Sequence, residues 1–156
     1  MKIISHRGVL DGPNSLIENQ PSQIDYAIDC NFEVEIDLWK INDKFYLGHD
    51  GPNLIMSHKW LESRSDKLWI HCKNIAALDF FAKNNLNYNY FFHEKDHVVL
   101  TSKNYLWVFP NKEYTENSIL VALSKKCIVN AINSKKLPFG ICTDYPLDLY
   151  NKLESL

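Results

Sequence analysis

The chain has 156 residues, a formal charge of -2, 46% hydrophobic residues and 13% aromatic residues. That length and apolar content predict one folded domain over residues 1–156 and exclude a disordered chain. The slight acidity excludes nucleic acid as a partner held by a basic surface, so any phosphate must be gripped locally.

Residues 1–5 predict a first strand, with His6 and Arg7 at its C-terminal end and Gly8 turning the chain out. A turn cluster at 12–15 and Glu18-Asn19-Gln20 lead to Pro21, which suits the first position of a helix. Ile24, Ala27 and Ile28 give that helix its apolar face, and it ends near Asn31. A strand follows at 32–38, parallel to the first because a helix joins them. Its side chains alternate: Phe32, Val34, Ile36 and Leu38 take one face, Glu33, Glu35 and Asp37 the other. Buried carboxylates must be paired or bound to a cation, so this acidic face asks for a metal or a cluster of bases.

Asn42-Asp43 turns the chain into a hairpin arm at 45–47 that delivers His49 back toward the acids. Residues 54–62 read as a helical turn packing Met56, Trp60 and Leu61. The third strand, 67–72, places Trp69, His71 and Lys73 on one face. Asn74 is a good cap for a helix over 75–84 with Ile75, Leu78, Phe81 and Ala82 as its stripe. Four short strands follow at 88–92, 97–101, 105–109 and 118–123, too closely spaced for crossover helices. Ser124 caps a helix to Asn133 with Ile128, Ala131 and Ile132 inward, then a last strand at 139–142 runs through Thr143-Asp144-Tyr145-Pro146 into a terminal helix. Cys30, Cys72, Cys127 and Cys142 form no Cys-x-x-Cys pair and lie in or beside apolar segments, as reduced thiols of a cytoplasmic protein would. No signal h-region and no run of membrane-spanning length is present, so no integral membrane segment is expected.

The strand ends thus gather His6-Arg7, Glu35 and Asp37, His71 and Lys73, and Thr143-Asp144, with Glu18 and His49 on adjacent loops. In order and spacing, the His-Arg-Gly start, Glu18-Asn19, Glu35-x-Asp37, His49-Asp50 and Thr143-Asp144-Tyr145-Pro146 resemble the glycerophosphodiester phosphodiesterase family. That family sits in the superfamily of phosphatidylinositol-specific phospholipase C and spider-venom phospholipase D. The resemblance implies a TIM-type (β/α) barrel with its site at the C-terminal strand ends. It also implies His6 and His49 as general acid and base, Arg7 and Lys73 as phosphate contacts, and Glu35 and Asp37 as ligands of a divalent cation. Mg²⁺ or Ca²⁺ suits two acids. Where the family's third strand reads Glu-x-Lys, this chain reads His71-Cys72-Lys73. The site then binds its cation weakly, prefers Mn²⁺ or Zn²⁺ with His71, recruits Glu18 or Glu33, or uses no metal.

Length is a second departure. Spread over eight strands, the chain has about 20 residues per unit against roughly 31 in a typical barrel. The expected fold is therefore a reduced (β/α) barrel lacking several helices in its second half, with one thinly covered flank that offers a homodimer interface. The leading function is a metal-assisted phosphodiesterase acting on a small glycerol- or sugar-linked diester through a cyclic phosphate. A metal-independent lyase and a catalytically idle phosphate-binding module compete with it. Glu33 reads as a structural acid paired with a lysine or arginine, and Asp144 as holding the last loop. Trp39, Trp69 and Trp107 read as filling, His58 and His97 as surface or turn residues, and His93 with Asp96 either as lining the mouth or as a loop cap.

Overall fold

The structure is a computed structural model that describes residues 1–84 and 86–155. In chain order its elements are β1 (Lys2–His6), α1 (Pro21–Asp29), β2 (Glu33–Ile41), β3 (Lys44–Leu47), β4 (Leu54–Met56), α2 (His58–Glu62), β5 (Leu68–Cys72) and α3 (Ile75–Lys83). They continue with β6 (Asn89–Phe91), β7 (Val98–Leu100), β8 (Leu106–Val108), β9 (Ser118–Val121), α4 (Lys125–Ile132), β10 (Gly140–Thr143) and α5 (Pro146–Glu154).

Parallel pairing runs from β6 through β5, β2, β1, β10 and β9 to β8. The exception on this path is β7, which pairs antiparallel with β8 because only a tight turn joins them. The β3–β4 hairpin hangs on the C-terminal half of β2. The sheet curls until Phe91 and Trp107 stack inside it with ring centroids 4.4 Å apart. Its two ends meet around Ser102, which donates its backbone N–H to Tyr90 O (2.9 Å) and whose Oγ accepts from Tyr90 N (2.9 Å) and donates to Tyr88 O (3.0 Å), with Lys103 Nζ donating to Asn87 Oδ1 beside it. The architecture is a mixed α/β, TIM-like curled sheet, a partial barrel in which no ladder joins β6 to β7 among the described residues.

Ile4, Trp69, Phe91, Trp107, Ile119, Val121 and Cys142 fill the inside of the curl. Outside, α1 and α3 cover the first half through Ile24, Ala27, Ala77 and Phe81, and α4 and α5 cover the last strands through Ile128, Ala131 and Leu149. Helix starts follow local chemistry: Pro21 opens α1, Asn74 Oδ1 accepts from Ala77 N, and Ser124 Oγ accepts from Cys127 N.

Two expectations need correction. Residues 54–62 are not one helical turn: 54–56 pair with β3, and α2 starts only after Ser57, whose Oγ caps it by accepting from Trp60 N. On α3, Ile75 is 65% exposed while Ala77 and Phe81 are buried, because the Asn74 cap sets the start so that 77 and 81, one turn apart, face the sheet. The thin flank is as expected: no helix lies between β6 and β9, and Val98 and Leu100 of β7 stand exposed. No helix among the described residues is long and apolar enough to cross a membrane.

Candidate active site

Parallel register assembles the site. His6 sits beside Glu35 on β1 and β2, Asp37 beside His71 on β2 and β5, and His71 beside Phe91 on β6. Ser5 pairs with Thr143, so the residues that follow, His6 and Asp144, emerge together. Arg7 turns off the strand with φ 53° and Gly8 with φ 82°. A positive φ on arginine is uncommon and marks a backbone held there by its surroundings; Arg7 N–H donates to Glu35 Oε2 at 3.2 Å.

His6, Arg7, Glu35, Asp37, His49 and His71 line one cavity of about 230 Å³, shared with His93 and an apolar wall of Trp107, Phe109, Pro110, Val121 and Leu123. Two predicted site residues stand behind this lining. Lys73 reaches Asp37 Oδ1 at 3.2 Å. Glu18 Oε2 holds Arg7 Nη1 at 2.8 Å.

Asp37 is the hub and is almost wholly buried. Its Oδ1 faces His71 Nδ1 (3.1 Å) and Lys73 Nζ; its Oδ2 faces Arg7 Nε (3.2 Å) and accepts from Asn19 Nδ2 (3.0 Å). Asn19 closes a second bond by accepting from Asp37 N at 2.9 Å. Burial alone would raise the Asp37 pKa, but the His71 hydrogen bond and the charges of Lys73 and Arg7 outweigh it and hold the carboxyl well below its usual range. Glu35 goes the other way: burial and the neighbouring Asp37 charge push it up. Two carboxylates on one strand face are thereby driven apart, the pattern of a site with divided proton roles.

The histidines are oriented by carboxylates. His6 Nδ1 donates to Asp144 Oδ1 at 2.7 Å, leaving Nε2 3.9 Å from Glu35 Oε2. Burial would lower the His6 pKa, but Asp144 and Glu35 outweigh it, so the net direction is up. His49 Nδ1 likewise meets Asp50 Oδ1 at 2.6 Å. Gly48, with φ 145°, turns the chain there, and its N–H donates to Asp37 O at 3.2 Å, tying the His49 loop to the acidic strand. His93 stacks on His71 with centroids 4.4 Å apart; burial, then the charges of His71 and Lys73, lower its pKa to about 4. Glu33, at the far end of β2, accepts from Trp69 Nε1 (2.7 Å) and pairs with Lys2, away from the cavity.

Glu35, Asp37 and His71 each offer a ligand atom within 4.8 Å of the others, so the group could hold a metal ion. As arranged, Asp37 and His71 are engaged, whereas Glu35 Oε1 makes no hydrogen bond among the described residues. Both Asp37 oxygens have cationic or N–H partners, and the His71 nitrogens face Asp37 Oδ1 and, at 3.5 Å, His93 O. An ion at Asp37 Oδ1 would have to displace the Lys73 ammonium. The trio as it stands is a charge-paired cluster in which Glu35 Oε1 is the free carboxylate oxygen among the described residues.

Asn19 carried no assigned role in the sequence, and Asp144 was read only as holding the last loop. Its backbone does so, accepting from Gly12 N at 2.7 Å, while its side chain takes His6. The readable signal was the Ser5–Thr143 adjacency, which appears only once β1 and β10 are taken as neighbours.

No family model and no curated protein sequence matches the chain. Among solved structures it is similar to glycerophosphodiester phosphodiesterase from Agrobacterium tumefaciens str. C58, over 100% of both chains, with a TM-score of 0.60 and 13% identity. At that identity the likeness is one of fold.

Proposed function

We propose that the chain is a phosphodiesterase that cleaves a small glycerol- or sugar-linked diester by two-histidine acid/base catalysis. One observation carries this reading. His6 and His49, each with Nδ1 engaged by a carboxylate and Nε2 left over, open onto the same cavity as Arg7. The fold likeness to a glycerophosphodiester phosphodiesterase supports the same chemistry.

In this reading the phosphoryl group sits against Arg7, whose Nη1 is hydrogen-bonded to Glu18 and whose Nε lies 3.2 Å from Asp37 Oδ2 as a charge contact only, while Nη2 has no hydrogen-bond partner among the described residues. A guanidinium held by flanking carboxylates needs little reorganisation to stabilise charge building on phosphorus. Lys73 adds positive potential from behind Asp37. One histidine takes the proton of a neighbouring substrate hydroxyl as its oxygen attacks phosphorus. The other gives a proton to the departing alcohol, and a cyclic phosphate forms. Water then opens the cycle with the two roles reversed. Phosphorus NMR of glycerophosphocholine, glycerophosphoinositol and a lysophospholipid tests this. His6→Ala and His49→Ala should each lower turnover at least about a hundredfold; no product from any diester rejects the proposal.

The 4.8 Å grouping of Glu35, Asp37 and His71 favours a second reading, in which these three hold Mg²⁺, Ca²⁺ or Mn²⁺ once Lys73 withdraws. A cation would supply a Lewis acid at the phosphoryl oxygen. The two readings differ in EDTA. Turnover that persists after chelation assigns the charge to Arg7 and Lys73; turnover restored only by added cation assigns it to the acids. Thermal stabilisation by a phosphate ligand without product would instead mark an idle binding module.

A further inference from the structure

His93 lines the cavity but takes no part in this chemistry. His93 follows β6, and its ring is held between His71, stacked at 4.4 Å and 10°, and Phe109, edge-on at 5.0 Å and 88°. Its Nδ1 is buried and has no hydrogen-bond partner. A proton there would be an orphaned buried donor, the rarest of polar defects, so the proton belongs on Nε2. Nε2 bonds to nothing among the described residues, is not among the buried atoms without partners, and belongs to a ring that lines the cavity. His93 therefore presents one N–H in a fixed direction, one ring beyond His71.

The cavity lining mixes titratable side chains, among them Arg7, His6, Glu35 and His71, with the apolar Trp107, Phe109, Pro110, Val121 and Leu123, and His93 packs against one of each, His71 and Phe109. An apolar wall with a single placed donor fixes the orientation of a ligand that is mostly carbon but carries a hydroxyl. An acyl chain in the same space would leave the N–H unpaired, a cost that a hydroxylated ligand avoids.

We propose that His93 is a specificity-determining residue that donates from Nε2 to a hydroxyl on the alcohol esterified to the phosphate, selecting glycerol- or sugar-type diesters over deoxy and acyl-chain analogues. This rests on phosphate seating among Arg7 and the histidines as proposed above. Calorimetric titration with glycerol 3-phosphate and with 1,2-propanediol 1-phosphate, which lacks one hydroxyl, tests it without requiring turnover. The wild-type chain should prefer glycerol 3-phosphate by about tenfold. His93→Phe, which keeps the stack, should bind both alike, and His93→Gln, which restores an N–H, should recover part of the preference. Equal binding by the wild-type chain, or a preference unchanged in His93→Phe, overturns the proposal. Absence of binding by either phosphate removes this proposal together with the phosphate seat. A preference that disappears in His93→Phe, with no diester turned over, removes only the phosphodiesterase reading.

Discussion

Asp144 leaves His6 a single nitrogen for chemistry, and it also sets when that nitrogen carries a proton. With the His6 pKa raised by the Asp144 bond and the Glu35 charge against the pull of burial, Asp144→Asn should move the His6 limb of the pH–rate profile to lower pH. A shift of about half a pH unit or more is expected. The same pair affects stability. Folding raises the His6 pKa above its unfolded value of about 6.5, so its contribution is full below that pH and is lost as pH rises through the folded value. Denaturant titrations between about pH 6 and 9 should show that decline in the wild-type chain and a flatter dependence in Asp144→Asn. Asp37 behaves oppositely: its depressed pKa stabilises the fold above about pH 4, a contribution lost in acid as the carboxylate protonates. Asp37→Ala should cost about 3–5 kcal/mol, because Lys73 and His71 would lose their closest carboxylate and Arg7 one of its two. Denaturant midpoints measure it.

At the scale of elements, β2 and the turn after β3 act as one device. Gly48 holds φ 145°, and a side chain there would meet Gly51 O at 2.2 Å. Its carbonyl also accepts from Trp39 Nε1 at 2.6 Å. Gly48→Ala should therefore displace His49 and reduce kcat strongly while the melting temperature falls only by a few degrees, a split that circular dichroism and phosphorus NMR together resolve. Much of this element was legible in the sequence, because strand alternation alone puts Glu35 and Asp37 on one face and a turn signal precedes His49. What alternation cannot reveal is which positive group meets which acid. Lys73 lies on Asp37, a pairing made by side-chain reach and the β2–β5 register. Asn19 was equally hidden, since its grip on Asp37 depends on a left-handed turn at φ 57°.

On the scale of the whole molecule, the missing helices leave one flank uncovered. Val98 and Leu100 are exposed, and the β6 and β7 ends of the sheet meet through Ser102 and the Lys103–Asn87 bond rather than through a ladder. Hydrogen exchange should be fastest in β7 and the turn after it and slowest in β1, β2 and β10, which are paired on both sides and buried. The short turns of this flank were readable from spacing alone, and the antiparallel course of β7 against β8 follows from the short turn that joins them, whereas spacing does not show that β6 and β7 share no ladder.

The pairing of His6 with Asp144 joins residues 138 apart in sequence. Closing a loop of that length costs entropy, so the β1–β10 pairing that brings the two together is expected to be slow to form. During refolding, far-UV signal from α1 and α3 should return first, and the raised His6 titration only with the slowest phase, as long-range parallel pairing requires.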